Sequence, residues 1–126
     1  MFDHITLSIS DYEKSKEFYS KILKPLGYEL VMEFEDNTAC FGEGKKFSFI
    51  IHPGGKTTPK LHIAFKSKNR EAVEAFYQAA LEAGGIDNGA PGLRAEYHPN
   101  YYAAFIYDFD GHNIEAVCHN PIAGND

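Results

Sequence analysis

His4-Ile5-Thr6-Leu7-Ser8-Ile9 and, 58 residues later, His62-Ile63-Ala64-Phe65 open two copies of one pattern (62 − 4 = 58). At that single ungapped offset Glu13 falls on Glu71, Phe18-Tyr19 on Phe76-Tyr77, Leu23 on Leu81 and Gly27 on Gly85. Self-similarity at a fixed offset marks a duplicated structural unit. Within the opening stretch His4, Thr6 and Ser8 alternate with Ile5, Leu7 and Ile9, and His62 and Ala64 alternate with Leu61, Ile63 and Phe65. A period of two is that of a half-buried strand. In both copies the histidine therefore stands on the face opposite the aliphatic row.

A helix follows each opening strand. Ser10-Asp11-Tyr12-Glu13 has capping-box spacing, with the Ser10 hydroxyl as the cap and Glu13 reaching back. Phe18, Tyr19, Ile22, Leu23 and Leu26 then recur at helical spacing, and Pro25 with Gly27 stops the segment. In the second copy Val73, Phe76, Tyr77, Ala80 and Leu81 share one face, and Gly84-Gly85 end it. These aromatic stripes are read as core.

Three shorter strands are predicted after each helix. In the first copy they run over about 28–34, 38–41 and 47–52, separated by Asp36-Asn37 and Gly42-Glu43-Gly44. In the second they run over about 94–97, 101–107 and 113–118, with His98-Pro99-Asn100 and Asp108-Phe109-Asp110-Gly111 between them. Residues 85–92, rich in Gly and Pro, read as a loop flanking a pocket, and 53–59 as the linker between copies.

The expected fold is therefore α+β. Two tandem βαβββ modules, about 3–52 and 61–118, form a cup-shaped, partly open eight-stranded sheet with helices outside. The whole chain, 126 residues, is one domain of ordinary size. A content of 44% hydrophobic and 24% charged residues suits a globular chain. A net charge of −6 without a Lys/Arg stripe argues against nucleic acid as a partner. Apolar runs such as Phe47 to Ile51 are too short to span a bilayer, and the N-terminus has no leader-like pattern. The expected location is the cytoplasm, where Cys40 and Cys118 are buried free thiols.

His4 and His62 start equivalent strands on the cup face, so pseudo-symmetry is expected to bring them together. Glu115, in Asn113-Ile114-Glu115-Ala116-Val117, joins them on that face in an otherwise apolar strand. A carboxylate there is costly unless it is paired or metal-bound. It is either a ligand of an open-sided divalent site with the two imidazoles or the partner of a buried Arg or Lys. His98, Tyr101 and Tyr102 are candidate catalytic groups beside the cup, with Arg94 and Tyr107 as further ones. Alternation allows only one of Tyr101 and Tyr102 to face inward. His52, His112 and His119 lie at strand ends or turns and are assigned no role.

These residues resemble a known family. The two histidine-led strands, together with Tyr107-Asp108-Phe109-Asp110-Gly111-His112-Asn113-Ile114-Glu115, look like the opening strands and closing hairpin of the vicinal oxygen chelate proteins. That superfamily comprises glyoxalases, bleomycin-resistance proteins and extradiol dioxygenases. The resemblance covers nearly the whole chain and implies His4, His62 and Glu115 as metal ligands. Aligning 42–49 with 108–115 puts Phe49 where glyoxalase I relatives carry a fourth, carboxylate ligand, so a three-ligand site is implied. Phe109, in place of the usual proline, is expected to affect the hairpin alone.

The implied activity is that of a metal-dependent enzyme, lyase, isomerase or dioxygenase-like, acting on a small oxygen-rich substrate. The ion would be Zn, Ni, Mn or Fe. The alternative is a metal-free protein that sequesters a small molecule. A homodimer is expected, because an open cup leaves sheet edges to cover. Relatives that build a site from two chains raise the arrangement in which His4 serves the partner's His62 and Glu115.

Overall fold

The computed structural model describes residues 2–54 and 60–121. Most of the expected linker, 55–59, lies outside the described residues. The first module comprises β1 (Ile5–Ile9), α1 (Tyr12–Leu23), a 3-10 turn (Lys24–Leu26), β2 (Glu29–Phe34), β3 (Thr38–Glu43) and β4 (Lys46–Pro53). The second comprises β5 (His62–Lys66), α2 (Arg70–Glu82), β6 (Ile86–Leu93), β7 (Tyr102–Tyr107) and β8 (Asn113–Cys118). Each module makes one four-stranded sheet, ordered β1-β4-β3-β2 and β5-β8-β7-β6. In both, the first strand runs parallel to the last and the remaining pairs are antiparallel. The duplication in sequence is thus a duplication in topology. The sheets do not close on each other, since among the described residues no strand pairing joins them.

Alternation sorts the side chains as the period of two requires. Leu7 and Ile9 of β1, Phe49 and Ile51 of β4, and Ile114, Ala116 and Cys118 of β8 are buried. They join Phe18, Tyr19, Ile22 and Leu23 of α1 and Val73, Phe76 and Ala80 of α2 in one core that runs through both modules. Tyr19 packs against Phe49 at 5.0 Å between ring centroids, and Phe49 against Phe65 of the second module at 5.0 Å. No helix of the described residues is long and apolar enough to cross a membrane.

Four local expectations change. The cap of α1 is Asp11, whose side chain accepts from the Lys14 amide at 3.1 Å, while the Ser10 amide donates to Asp110. A one-position shift puts the better acceptor, a carboxylate, at the helix start. Residues 85–92 read as a loop, but Ile86–Leu93 form strand β6, and 94–97 are not a strand. Pro91 is tolerated because β6 is an edge strand that pairs with β7 alone, and register shifts at Gly89 absorb the irregularity. Phe109 does more than shape its turn: its ring meets Phe18 of α1 at 4.9 Å, with the Lys14 ammonium 4.1 Å above it.

The fourth correction concerns His112, which is 2% exposed rather than solvated. Its Nδ1 accepts from the Leu61 amide at 3.0 Å, and its Nε2 donates to the Ser8 carbonyl at 3.2 Å. The ring pins the end of β1 to the entry of β5, joining the modules.

Candidate metal centre

On the second sheet the face opposite the helices carries the polar cluster. Register sets Ala64 and Phe105 on either side of Glu115, and His62 beside Asn113 one step along. His62 and Glu115 therefore share a face on adjacent strands, and their side chains meet: His62 Nε2 lies 2.7 Å from Glu115 Oε1. Tyr101, just before β7, donates its hydroxyl to Glu115 Oε2. Glu115 is 1% exposed while the His62 side chain is 54% exposed, so the carboxylate forms the floor and the imidazole the rim. Among the described residues no Lys or Arg pairs with Glu115. The alternative of a buried basic partner is therefore not realised.

Burial, followed by the Glu115 hydrogen bond, pushes the Tyr101 phenol up to about 12. At neutral pH it is a proton donor. Tyr102 takes the other side of the strand, where its hydroxyl donates to Glu74 of α2 at 2.6 Å and its ring stacks under Arg70 at 5.0 Å. The structure does not bring Tyr102 to the cluster, because successive strand residues point to opposite faces.

His98 lies in the turn before β7, where its Nδ1 accepts from the Asn100 amide at 3.1 Å. Its ring meets His119 edge-on at 5.5 Å, and His119 in turn meets Tyr101 at 5.2 Å. His98 thus stands one residue removed from Tyr101, and His119 is the nearer group. Nothing in the sequence marked His119 beyond its place one residue past β8. The Arg94 guanidinium carbon lies over the Phe105 ring at 5.3 Å, and Phe105 meets the His62 ring at 6.2 Å.

His4 is placed elsewhere. Its Nδ1 is 2.7 Å from Asp3 Oδ1, and it lines a cleft between the modules with Ile5, Phe49, Ala64 and Lys66. It does not join His62 and Glu115, and among the described residues no group of three or more His, Cys, Asp or Glu side chains is placed to hold a metal. The expectation that pseudo-symmetry unites the two histidines within one chain is corrected. His4 lies one residue ahead of β1, held by Asp3, and β1 and β5 belong to separate sheets, so no strand pairing carries His4 to the His62 face.

The fourth position is also corrected. Ile5 pairs with Phe49 and Thr6 with Ile50, whereas Ile63 pairs with Ile114 and Ala64 with Glu115. The counterpart of Glu115 is therefore Ile50, and Phe49 belongs to the core row. A one-residue bulge at Ser48, where Gly42 faces Phe47 but Phe41 faces Phe49, makes the first hairpin slip against the second. Ile50, like Phe49, offers no carboxylate.

With this arrangement established, comparison with known proteins is specific. The family described as the Glyoxalase/Bleomycin resistance protein/Dioxygenase superfamily matches residues 1–116. The chain belongs to that superfamily. No curated protein matches the sequence. Among solved structures of the superfamily, a glyoxalase/bleomycin resistance protein from Albidiferax ferrireducens T118 is 27% identical, with a TM-score of 0.80, over 94% of this chain and 98% of that one. The fosfomycin resistance protein FosX from Listeria monocytogenes, solved as a point variant with Mn(II) and 1S,2S-dihydroxypropylphosphonic acid, is 22% identical, with a TM-score of 0.69. That match covers 93% of this chain and 88% of that one. A superfamily enzyme from Burkholderia phytofirmans PsJN is 14% identical, with a TM-score of 0.71, over 94% and 98%. The last two likenesses speak to the fold.

Proposed function

We propose that this superfamily member is a divalent-metal-dependent enzyme acting on a small oxygen-rich substrate, with His62, Glu115 and a His4 from a second copy of the chain as ligands. The observation that carries the reading is the meeting of His62 Nε2 and Glu115 Oε1 at 2.7 Å over a nearly inaccessible carboxylate. A buried carboxylate whose partners are an imidazole and a phenol, with no basic side chain, suits a cation. Imidazole and carboxylate together fit Mn²⁺, Fe²⁺, Ni²⁺ or Zn²⁺.

His4 supports the third place. Its Nδ1 is taken by Asp3, which leaves Nε2 as the ring's available donor atom, the arrangement common to metal-bound histidines. Among the described residues no third His, Cys, Asp or Glu of the same chain is grouped with His62 and Glu115, which favours a set completed between chains. The exposed apolar side chains of edge strand β2, Leu30, Met32 and Phe34, and Ile86 and Leu93 of β6 supply surface for such a dimer.

The bound ion would polarise two neighbouring substrate oxygens and stabilise developing negative charge. Tyr101, protonated at neutral pH, orients Glu115 and holds a proton at its hydroxyl within the site. Phe105 and Ala64 give the reacting atoms an apolar floor on either side of Glu115. The test is metal titration of protein purified without chelator or metal-binding tag. One ion per chain is expected for the wild type, with sharp weakening in Glu115→Gln. Binding no better than that of a His4→Ala/His62→Ala double variant would replace this reading with metal-free sequestration.

A further inference from the structure

Arg94 stands on the same sheet face with an unusual set of partners. Its Nη1 donates to the carbonyls of Gly92 at 2.7 Å and Ala103 at 3.2 Å, and its Nη2 to that of Ala90 at 2.8 Å. Its guanidinium carbon lies over the ring of Phe105, the direct cross-strand neighbour of Glu115, at 5.3 Å. None of the ion pairs of the described residues includes it. A guanidinium has five N–H donors, and among the described residues these three bonds leave two of them, the Nε–H and one Nη2–H, to bond an oxyanion.

The surrounding backbone is shaped for this group. A Cβ at Gly89, where φ is +150°, would lie 2.9 Å from Phe105 Cδ1 and 3.2 Å from Arg94 Nη2. A Cβ at Gly92 would lie 3.1 Å from Nη1. The two glycines let the β6 backbone close over the guanidinium and clamp it with carbonyls. Carbonyl dipoles orient a cation without neutralising it. The result is a pre-ordered positive charge in a chain of net charge −6, held where its rotamer entropy is already lost. Its field also reaches Tyr101, where it opposes the rise that burial and Glu115 impose on the phenol.

We propose that Arg94 is the anchor for an anionic group of the substrate, a carboxylate or a phosphonate-like oxyanion, whose remaining oxygens reach the Glu115 end of the site. Strand β6 lies two strand spacings, roughly 10 Å, from β8, so a molecule of a few carbons spans the interval over the Phe105 ring. The proposal rests on the reading of His62, Glu115 and Tyr101 as the substrate site, but not on metal occupancy.

The experiment uses the full chain, freed of metal by chelation, with glycolate, hydroxymethylphosphonate and the neutral ethylene glycol as probes, followed by protein-detected NMR. At least one anion is expected to bind about tenfold or more tightly than the glycol, as hydrogen bonds to a charged donor allow. The anion that binds tighter identifies the oxyanion class. Arg94→Gln should abolish the preference, and Arg94→Lys should reduce it several-fold for want of the fork. A purely structural clamp would alter all three affinities together and leave their ratio unmoved. Equal affinity of anions and glycol in the wild type, or an unchanged ratio in Arg94→Gln, overturns the assignment. If Arg94→Gln does not fold, an unchanged ratio in Arg94→Lys overturns it instead. Loss of metal binding in the separate titration with the anion preference intact would remove the metal reading alone.

Discussion

Tyr19 of α1 donates its hydroxyl to Asp108 Oδ2, in the turn between β7 and β8, across a buried distance of 2.5 Å. The other oxygen of Asp108 accepts the amides of Asp110 and His112, each at 2.9 Å. A helix of the first module is thus tied to the closing turn of the second, next to the strand that carries Glu115. Tyr19→Phe preserves the packing but leaves a buried carboxylate one donor short. The expected cost is about 1–3 kcal/mol, read as a lower urea midpoint with an unchanged slope. An unaltered midpoint would show that the tie contributes nothing.

Several phenols link stability to alkaline pH. Burial, then the charge and hydrogen bond of Asp108, holds Tyr19 well above its usual 10.0. Burial and a carboxylate partner push Tyr101 and Tyr102 up to about 12 each. A folded state that keeps its phenolic protons longer than the unfolded chain has its full stability below pH 10, the unfolded value, and loses it as pH rises from 10 towards 12. Urea midpoints should be insensitive to these groups up to pH 9 and fall beyond pH 10. Tyr101→Phe and Tyr102→Phe should each flatten that fall. A flat profile through pH 11 in the wild type would contradict the burial of these hydroxyls.

His112 gives a prediction about how the modules cohere. With Nδ1 accepting from Leu61 and Nε2 donating to Ser8, the ring carries its proton on Nε2. His112→Phe matches the shape but strands an amide and a carbonyl, each at about 1–3 kcal/mol. The expected result is marked destabilisation with faster exchange of the Leu61 amide relative to amides in β8. Exchange that stays slow would assign the junction to the shared core alone.

The legible and illegible parts of the molecule divide along physical lines. Duplication was readable because each module repeats a histidine-led strand and an aromatic helix face, both set by local periodicity. The His62–Glu115 pairing followed from alternation and strand pairing, and alternation also limited the inward position to one of Tyr101 and Tyr102. Strand β6 was hidden because Gly89, Pro91 and Gly92 are loop residues anywhere except on an irregular edge. The burial of His112 was hidden because its partners, Ser8 and Leu61, are backbone groups supplied by tertiary contact. Ile50 was missed for Phe49 because the bulge at Ser48 adds one residue that composition does not reveal.

Complementation between variants tests where the third ligand comes from. If His4 of one chain serves His62 and Glu115 of another, then neither His4→Ala nor His62→Ala alone retains a complete site. In a mixed dimer the chain bearing His62→Ala lends its intact His4 to the intact His62 and Glu115 of its partner, while the reciprocal site lacks both histidines. Statistical exchange makes half of the dimers mixed, and one site in two of those is whole, so an equimolar mixture should recover about a quarter of wild-type metal capacity. Mixing His62→Ala with Glu115→Gln should recover nothing, because both changes fall on the same half of the site. Metal analysis after co-refolding or slow subunit exchange reads the result. A monomer by light scattering at micromolar concentration, or recovery in both mixtures alike, would rule out a site shared between two chains.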